Sequence, residues 1–192
     1  MPAVVSDSGP LIHLAQINRL QILQELFGCV HVTDTVKAEV VDEGIQRGRS
    51  DAEVVGRAFG EGWFKVEALS ERSSKLAARL ADGERISHAD AEVILLAKKK
   101  KALFLSDDKP LESLAEMYGL RAWDTWNLLL ESLSRNLISL AEVENAIEEL
   151  GKKKFRLNAK QVAEILQAAK LIEGRKLMQS KNKKGENSAW EN

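Results

Sequence analysis

An α/β fold built on a parallel sheet is what this sequence predicts, and three features predict it. Short, almost wholly apolar runs such as Ala3-Val4-Val5 and Leu103-Phe104-Leu105 recur between longer segments of helical apolar spacing. Several of these runs exit straight onto an acid or a helix-capping residue: Asp7, Thr33-Asp34-Thr35, and Asp124-Thr125. Strands that alternate with helices in this way form a parallel sheet covered on both faces.

The elements follow in order. Ala3-Val4-Val5-Ser6-Asp7 reads as a short buried strand, and Leu11, Leu14, Ile17, Leu20 and Leu23 as the apolar face of one helix after it. Cys29 to Thr33 is β-rich and makes a second strand, whose exit caps a helix carrying Val36, Glu39 and Val40. Two weaker helices flank the strand-like Trp63 to Glu67. Ser87-His88-Ala89-Asp90 opens a strong helix through Val93 to Ala97, and the strand Leu103 to Leu105 comes next. A helix around Leu111 to Tyr118, a brief strand Arg121-Ala122-Trp123 and a capped helix complete the alternation.

Beyond Ser139 the pattern is purely helical. Leu140, Val143, Ile147 and Leu150 mark one amphipathic helix, and Val162, Ile165, Leu166, Ala169 and Ile172 another, with Gly151 to Lys154 between them. The chain therefore divides into an α/β domain over residues 1–135, a helical extension over 136–178 and a polar tail over 179–192, which is expected to be disordered.

Composition narrows the function. A 192-residue chain with 44% hydrophobic and 30% charged residues suits a water-exposed surface around a packed core. No stretch is long and apolar enough to span a bilayer, and no leader is visible, so the expected location is cytoplasmic. The single cysteine, Cys29, excludes a disulfide within the chain and a multi-cysteine zinc site, and its apolar surroundings read as a buried structural thiol. A net charge of −1 gives no general affinity for nucleic acid, but the lysines cluster at 98–101, 152–154 and 181–184. Each run taken alone reads first as a solvated helix end.

The acids carry the chemistry. In an open parallel sheet, ligands gather beyond the carboxyl ends of strands, near the point where strand order reverses. Asp7 and the adjacent pair Asp107-Asp108 stand at such ends, Glu39 follows the second strand, and Asp90 begins a helix that can reach the same rim. Two carboxylates about 4 Å apart repel by about 4 kcal/mol at an effective dielectric of about 20. Four together would cost much of a domain stability of about 5–15 kcal/mol. A hard divalent cation relieves that repulsion, and oxygen ligands with few histidines or cysteines favour Mg²⁺ or Mn²⁺ over zinc. Such ions leave positions for phosphate oxygens and activate water, which is the chemistry of phosphodiester hydrolysis.

The stretches "VVSDSGPLIHL", "TVKAEV", "ISHADAEVILLA" and "LFLSDDKPL" resemble, in order and separation, the acidic motifs of the PIN domain, over roughly residues 1–135. That family comprises metal-dependent nucleases, including the VapC ribonuclease toxins of bacteria and archaea. The resemblance implies a three-layer fold and a metal-dependent endoribonuclease. Asp7 matches the first acid, Glu39 the second and Asp90 the third. For the fourth, the hydroxyl-x-Asp pattern selects Asp108 and the strand-end position selects Asp107. Ser8 and Ser106 match hydroxyls that support the ligands. The implied cofactor is Mg²⁺ or Mn²⁺ and the implied substrate RNA. An antitoxin protein and a second copy of the chain are further implied partners. The RNA-binding residues stay unassigned. The "AWDTWNLLL" segment is bulkier than the glycine-containing stretch usual there.

Plainer readings stand beside these. Asp90 could complete a capping box with Ser87, Asp7 could begin a turn before Gly9-Pro10, Glu39 could sit on a helix surface, and Asp107 or Asp108 could cap a helix. Glu92 is two residues from Asp90 and so points elsewhere on the helix, which leaves it outside the expected site. His13, His31 and His88 show no paired ligand spacing and read as structural or surface residues. Trp123 and Trp126 suit packing more than base stacking. The rival to an enzyme is a PIN-fold nucleic-acid-binding or scaffold protein with weak or no catalysis.

Overall fold

The computed structural model describes residues 3–153, 155 and 157–188. The chain separates into two compact units, Met1–Thr125 and Trp126–Asn192.

The first unit is built on β1 (Val4–Ser6), β2 (Val30–Thr33), β3 (Phe64–Glu67), β4 (Leu103–Leu105) and β5 (Arg121–Trp123). All pairings are parallel and the order is β3-β2-β1-β4-β5. The chain moves outward from β1 to β3, then returns to lay β4 against the other side of β1. Val4, Val5, Val30, Val32, Phe104 and Leu105 are wholly inaccessible, which explains why these strands read as unbroken apolar runs. Register fixes the rim: Ser6 lies opposite Leu105, so the residues that follow, Asp7 and Ser106, leave the sheet side by side.

Helices cover the sheet. Of those between β1 and β3, α1 (Ser8–Gln16) and α2 (Ile22–Phe27) replace the single helix expected over Leu11 to Leu23. The break falls at Asn18, whose φ of 55° is left-handed, a conformation asparagine adopts more readily than most residues. After β2, α3 (Asp34–Lys37) continues into a π-helical segment, Ala38–Glu43, and then α4 (Gly44–Gln46) and α5 (Ser50–Gly60). The α4–α5 corner is close enough that a Cβ on Gly44 would lie 2.5 Å from that of Ala52, so only glycine fits. On the return, α6 (Glu71–Glu84) packs on α7 (His88–Lys100), and α7 lies on β1, β2 and β4. Lys98, Lys99 and Lys100 occupy the last turn of α7, where the helix dipole favours cations. β4 leads into α8 (Lys109–Met117). Cys29 is half-buried, contrary to the buried thiol expected, because it precedes β2 instead of lying within it.

The second unit is helical, with α9 (Thr125–Ser134), α10 (Leu140–Lys152) and α11 (Ala159–Ser188). Val143, Ala146 and Leu150 of α10 and Ile165 and Ala169 of α11 are buried, at the helical spacing the sequence displayed. Trp126 meets Phe155 edge-on, with ring centroids 5.5 Å apart, in the packing role expected for it. α11 continues to Ser188, past residue 179 where the polar tail was expected to lose order. Lysine and glutamine are strong helix formers and can extend a helix already begun. Lys154 of the second lysine run and residues 189–192 lie outside the described residues.

Ser139 caps α10 in a full capping box: its hydroxyl accepts from the Glu142 N–H, and the Glu142 carboxylate accepts from the Ser139 N–H. Ser139→Ala removes the hydroxyl half of that exchange and keeps the backbone N–H that Glu142 accepts. A loss of about 1 kcal/mol in the urea unfolding of this helical unit is expected.

Candidate functional site at the carboxyl rim of β1 and β4

Strand order reverses between β1 and β4, the place where an open parallel sheet leaves a crevice beyond its strand ends. Asp7 stands there, 8% exposed, as the N-cap of α1. Its Oδ1 accepts from the Gly9 N–H at 2.7 Å, and its Oδ2 accepts from the Ser106 hydroxyl at 2.6 Å. Ser8, the first residue of α1, is close enough to lower the pKa of this carboxylate. Burial pushes the Asp7 carboxyl above its ordinary value. The bonds from Ser106 and Gly9 pull the other way, with Ser8, and the charge of Asp107 adds to the rise. No lysine, arginine or histidine pairs with Asp7 among the described residues.

Asp107 sits beside it. A Cβ on Gly9 would be 3.4 Å from the Cβ of Asp107, so the absence of a side chain at residue 9 lets the two segments approach. The Asp107 carboxylate is nearly buried and heavily bonded: Oδ1 accepts from the Thr125 N–H at 2.7 Å, and Oδ2 from the Thr125 hydroxyl at 2.7 Å. His13 Nδ1 also meets Oδ2, at 2.6 Å. Asp108 is exposed and caps α8, its Oδ1 accepting from the Leu111 N–H at 2.9 Å. Its own N–H donates to Ser106 Oγ at 3.1 Å, so one serine hydroxyl links Asp7 to Asp108. The fourth motif thus has two adjacent acids in different positions, one turned into the rim and one toward solvent.

The rim holds further charges that motif reading missed. Lys109 Nζ donates to Glu112 at 2.9 Å and to Asp124 at 2.8 Å. Burial pulls the Lys109 ammonium down, but those two carboxylates outweigh it and hold its pKa above the usual lysine value. Glu112 is pushed up by burial, against the pull of Lys109, with Asp124 and Asp107 adding to the rise. Asp124 had been read only as a cap.

Glu39 and Asp90 are placed differently. Glu39 lies half-buried in the π-helical segment after α3, a kind of helix irregularity frequent at functional sites. Asp90 is half-buried in the first turn of α7 and does complete the capping box: its Oδ2 accepts from the Ser87 N–H at 3.3 Å, and its N–H donates to Ser87 Oγ at 3.0 Å. Among the described residues no group of three or more acids, histidines or cysteines is arranged to hold a metal ion. Asp7 and Asp107 stand side by side and Ser106 links Asp7 to Asp108, but these acids, Glu39 and Asp90 do not form such a group. Local donors explain the shortfall. Gly9, Ser87 and Leu111 offer each carboxylate a backbone N–H of its own element, whereas bringing the acids together without a cation is repulsive.

Glu92 makes contacts that its position on the helix did not suggest. It is 9% exposed, and its Oε2 accepts from the Thr35 hydroxyl at 2.5 Å, joining α7 to the start of α3. His88 Nε2 lies 3.2 Å from Oε1. Lys98, Lys99 and Lys100 fall in the last turn of α7, and Lys100 Nζ pairs with Glu67 at the end of β3, at 2.7 Å.

The donor set suits a hard cation. Buried and half-buried carboxylates and serine hydroxyls supply only oxygen, and the buried Asp7 carboxylate has no cationic partner among the described residues. No helix among the described residues is long and apolar enough to cross a membrane.

The family model DUF3368, described as a PIN domain, matches residues 3–171. Among solved structures, the crystal structure of PAE2754 from Pyrobaculum aerophilum is similar, with a TM-score of 0.51 at 18% identity, covering 68% of this chain and 96% of that one. At that identity the likeness is one of fold. No curated protein matches the chain. The parallel sheet with acids at its switch point is the nuclease-type fold of the matched family, and the chain belongs to the PIN-domain family.

Proposed function

We propose that the protein is a divalent-metal-dependent endoribonuclease that hydrolyses RNA phosphodiester bonds, of the VapC-like kind in which an antitoxin protein restrains the enzyme. The observation that carries this reading is the Asp7 carboxylate: buried at the sheet's switch point, raised in pKa by burial and by Asp107, and without a cation beside it among the described residues. A carboxylate in that condition is a ligand in want of an ion.

Asp7 and Asp108, with Glu39 and Asp90 from the neighbouring helices, are the residues that would hold Mg²⁺ or Mn²⁺. When bound, the ion supplies Lewis-acid charge to a phosphate and lowers the pKa of water. The chain's own residues do the rest. The Ser106 hydroxyl and the Gly9 N–H donate to Asp7 and keep its oxygens oriented. Asp107 ties the ends of β4 and β5 together through Thr125, so the rim is stiff before a substrate arrives. Lys109 is the cation next to the acids and can meet a phosphate on exchanging one of its two carboxylate partners.

One observation favours a second reading, a PIN-fold nucleic-acid-binding or scaffold protein: the acids do not form a closed metal group among the described residues. A single experiment separates the two. Purified protein incubated with single-stranded RNA and Mn²⁺ should cleave it, and EDTA should stop the reaction. Cleavage that persists in EDTA, or separates from the protein on a sizing column, gives the case to the scaffold.

A further inference from the structure

Glu92 is a buried carboxylate that the proposed chemistry does not use. For filling space between α7 and the sheet it is a poor choice, since an apolar side chain would occupy the position without desolvating a charge. What a carboxylate adds is direction. Its Oε2 holds the Thr35 hydroxyl at 2.5 Å across 57 residues of sequence, and its Oε1 faces His88 of the same helix at 3.2 Å. Each partner leads to a proposed metal ligand. Thr35 and Glu39 are four residues apart on one continuous helical stretch and so share a face. On α7, Glu92 lies one turn beyond the Ser87–Asp90 capping box. The contact therefore joins the helix that carries Glu39 to the helix that carries Asp90. Sequence separation alone would leave these two helices independent.

We propose that Glu92 is a positioning residue, whose bond to Thr35 sets the distance between the Glu39 helix and the Asp90 helix and so prepares both acids for a divalent ion. This rests on the nuclease reading, and its basis is local: α7 is seated on β1, β2 and β4, the π-helical segment that carries Glu39 packs on α1, α4 and α5, and the Thr35–Glu92 bond ties the two directly. Partners one step removed from a metal typically govern its affinity by about 10–100-fold.

The test uses Thr35, which is exposed, so that the core stays intact. Mn²⁺ affinity is measured by calorimetry on the full chain for the natural protein, Thr35→Val, Glu92→Gln, the double variant and Thr35→Ser. Thr35→Val and Glu92→Gln should each weaken Mn²⁺ binding by about 10–100-fold. The double variant should be no worse than the poorer single one, because both changes remove one contact. Thr35→Ser, which keeps the hydroxyl, should bind as the natural protein does. Urea unfolding of the same set without metal reads any general damage. Unfolding that shifts while Mn²⁺ affinity stays put would make Glu92 a structural bond and overturn the proposal, as would additive losses in the double variant. Failure of the natural protein itself to bind Mn²⁺ is a different result, and it removes the nuclease reading together with the clamp.

Discussion

Asn in place of Asp7 should abolish Mn²⁺-dependent RNA cleavage and yet leave the metal-free protein as stable as before, or more so. The two halves have one cause. Burial and the nearby charge of Asp107 hold the Asp7 pKa above that of the unfolded chain. A carboxyl raised in this way favours folding only while it is protonated. Its contribution is complete below the unfolded value of about 3.9 and is lost as pH rises through the folded value, so the ionised form is a burden at neutral pH. Asparagine lifts that burden. Its oxygen can still accept from Gly9, and the Ser106 hydroxyl can turn from donor to acceptor for the new amide. The gain should be visible in urea at pH 7 and vanish near pH 3.

The activity follows the opposite course. Losing a residue one step from a metal costs about 10–100-fold, so losing a ligand must cost more. Mn²⁺ should raise the melting temperature of the natural protein and not that of Asp7→Asn, by mass action on the folded state. RNA affinity should persist in the variant, with its dependence on salt, because Asp7 offers phosphate no cation. Asp90→Asn should lose cleavage in the same way. A metal-free Asp7→Asn protein that unfolds easily would make Asp7 a structural cap of α1 and remove it from the site.

The fold was legible because parallel strands buried on both faces leave a plain mark. Val4-Val5 and Leu103-Phe104-Leu105 can be little else than buried strand, and each ends where the register places it. Strand order was not legible in the same way, since the return from β3 to the far side of β1 is decided by packing between distant segments. The break at Asn18 had a local signal, an asparagine after Ile17, which the regular spacing of Leu14 and Leu20 concealed.

Within the site, legibility tracked locality. Asp7 and Ser106 lie where their strands end, and adjacent register brings them together. Asp90 carries both a capping box and a motif, and the cap is the part that local geometry can satisfy. Glu92 was set aside because it cannot share a face with Asp90, which is correct. Its bond to Thr35 left no mark in the sequence, because that partner is on another element. His13 was passed over for want of ligand spacing, yet it meets Asp107 across 94 residues. Contacts of that separation leave no pattern in a single sequence.

Asp107 and Asp108 should part company when each is replaced by alanine. Asp107 receives the Thr125 N–H, the Thr125 hydroxyl and His13 at 2.6–2.7 Å, and Thr125 is fully buried. Asp107→Ala leaves the Thr125 N–H and hydroxyl without this acceptor where water does not reach. Each buried, unmatched donor costs about 1–3 kcal/mol, and relief of repulsion on Asp7 returns part of that, so a net loss of about 3 kcal/mol is expected in urea. Asp108→Ala removes only the N-cap of α8, a loss of about 1 kcal/mol. Activity should rank the other way round. Asp108 is exposed, and its Oδ2 has no hydrogen-bond partner among the described residues, which leaves it open to a cation. Cleavage should therefore vanish in Asp108→Ala, in a protein that remains folded. In Asp107→Ala, the surviving activity should follow the folded fraction as urea is lowered or temperature reduced. Full cleavage by Asp108→Ala, beside an inactive but well-folded Asp107→Ala, would transfer the fourth acid to Asp107. It would also mean that the hydrogen bonds from Thr125 and His13 orient a ligand, where the geometry now makes them the brace of the rim.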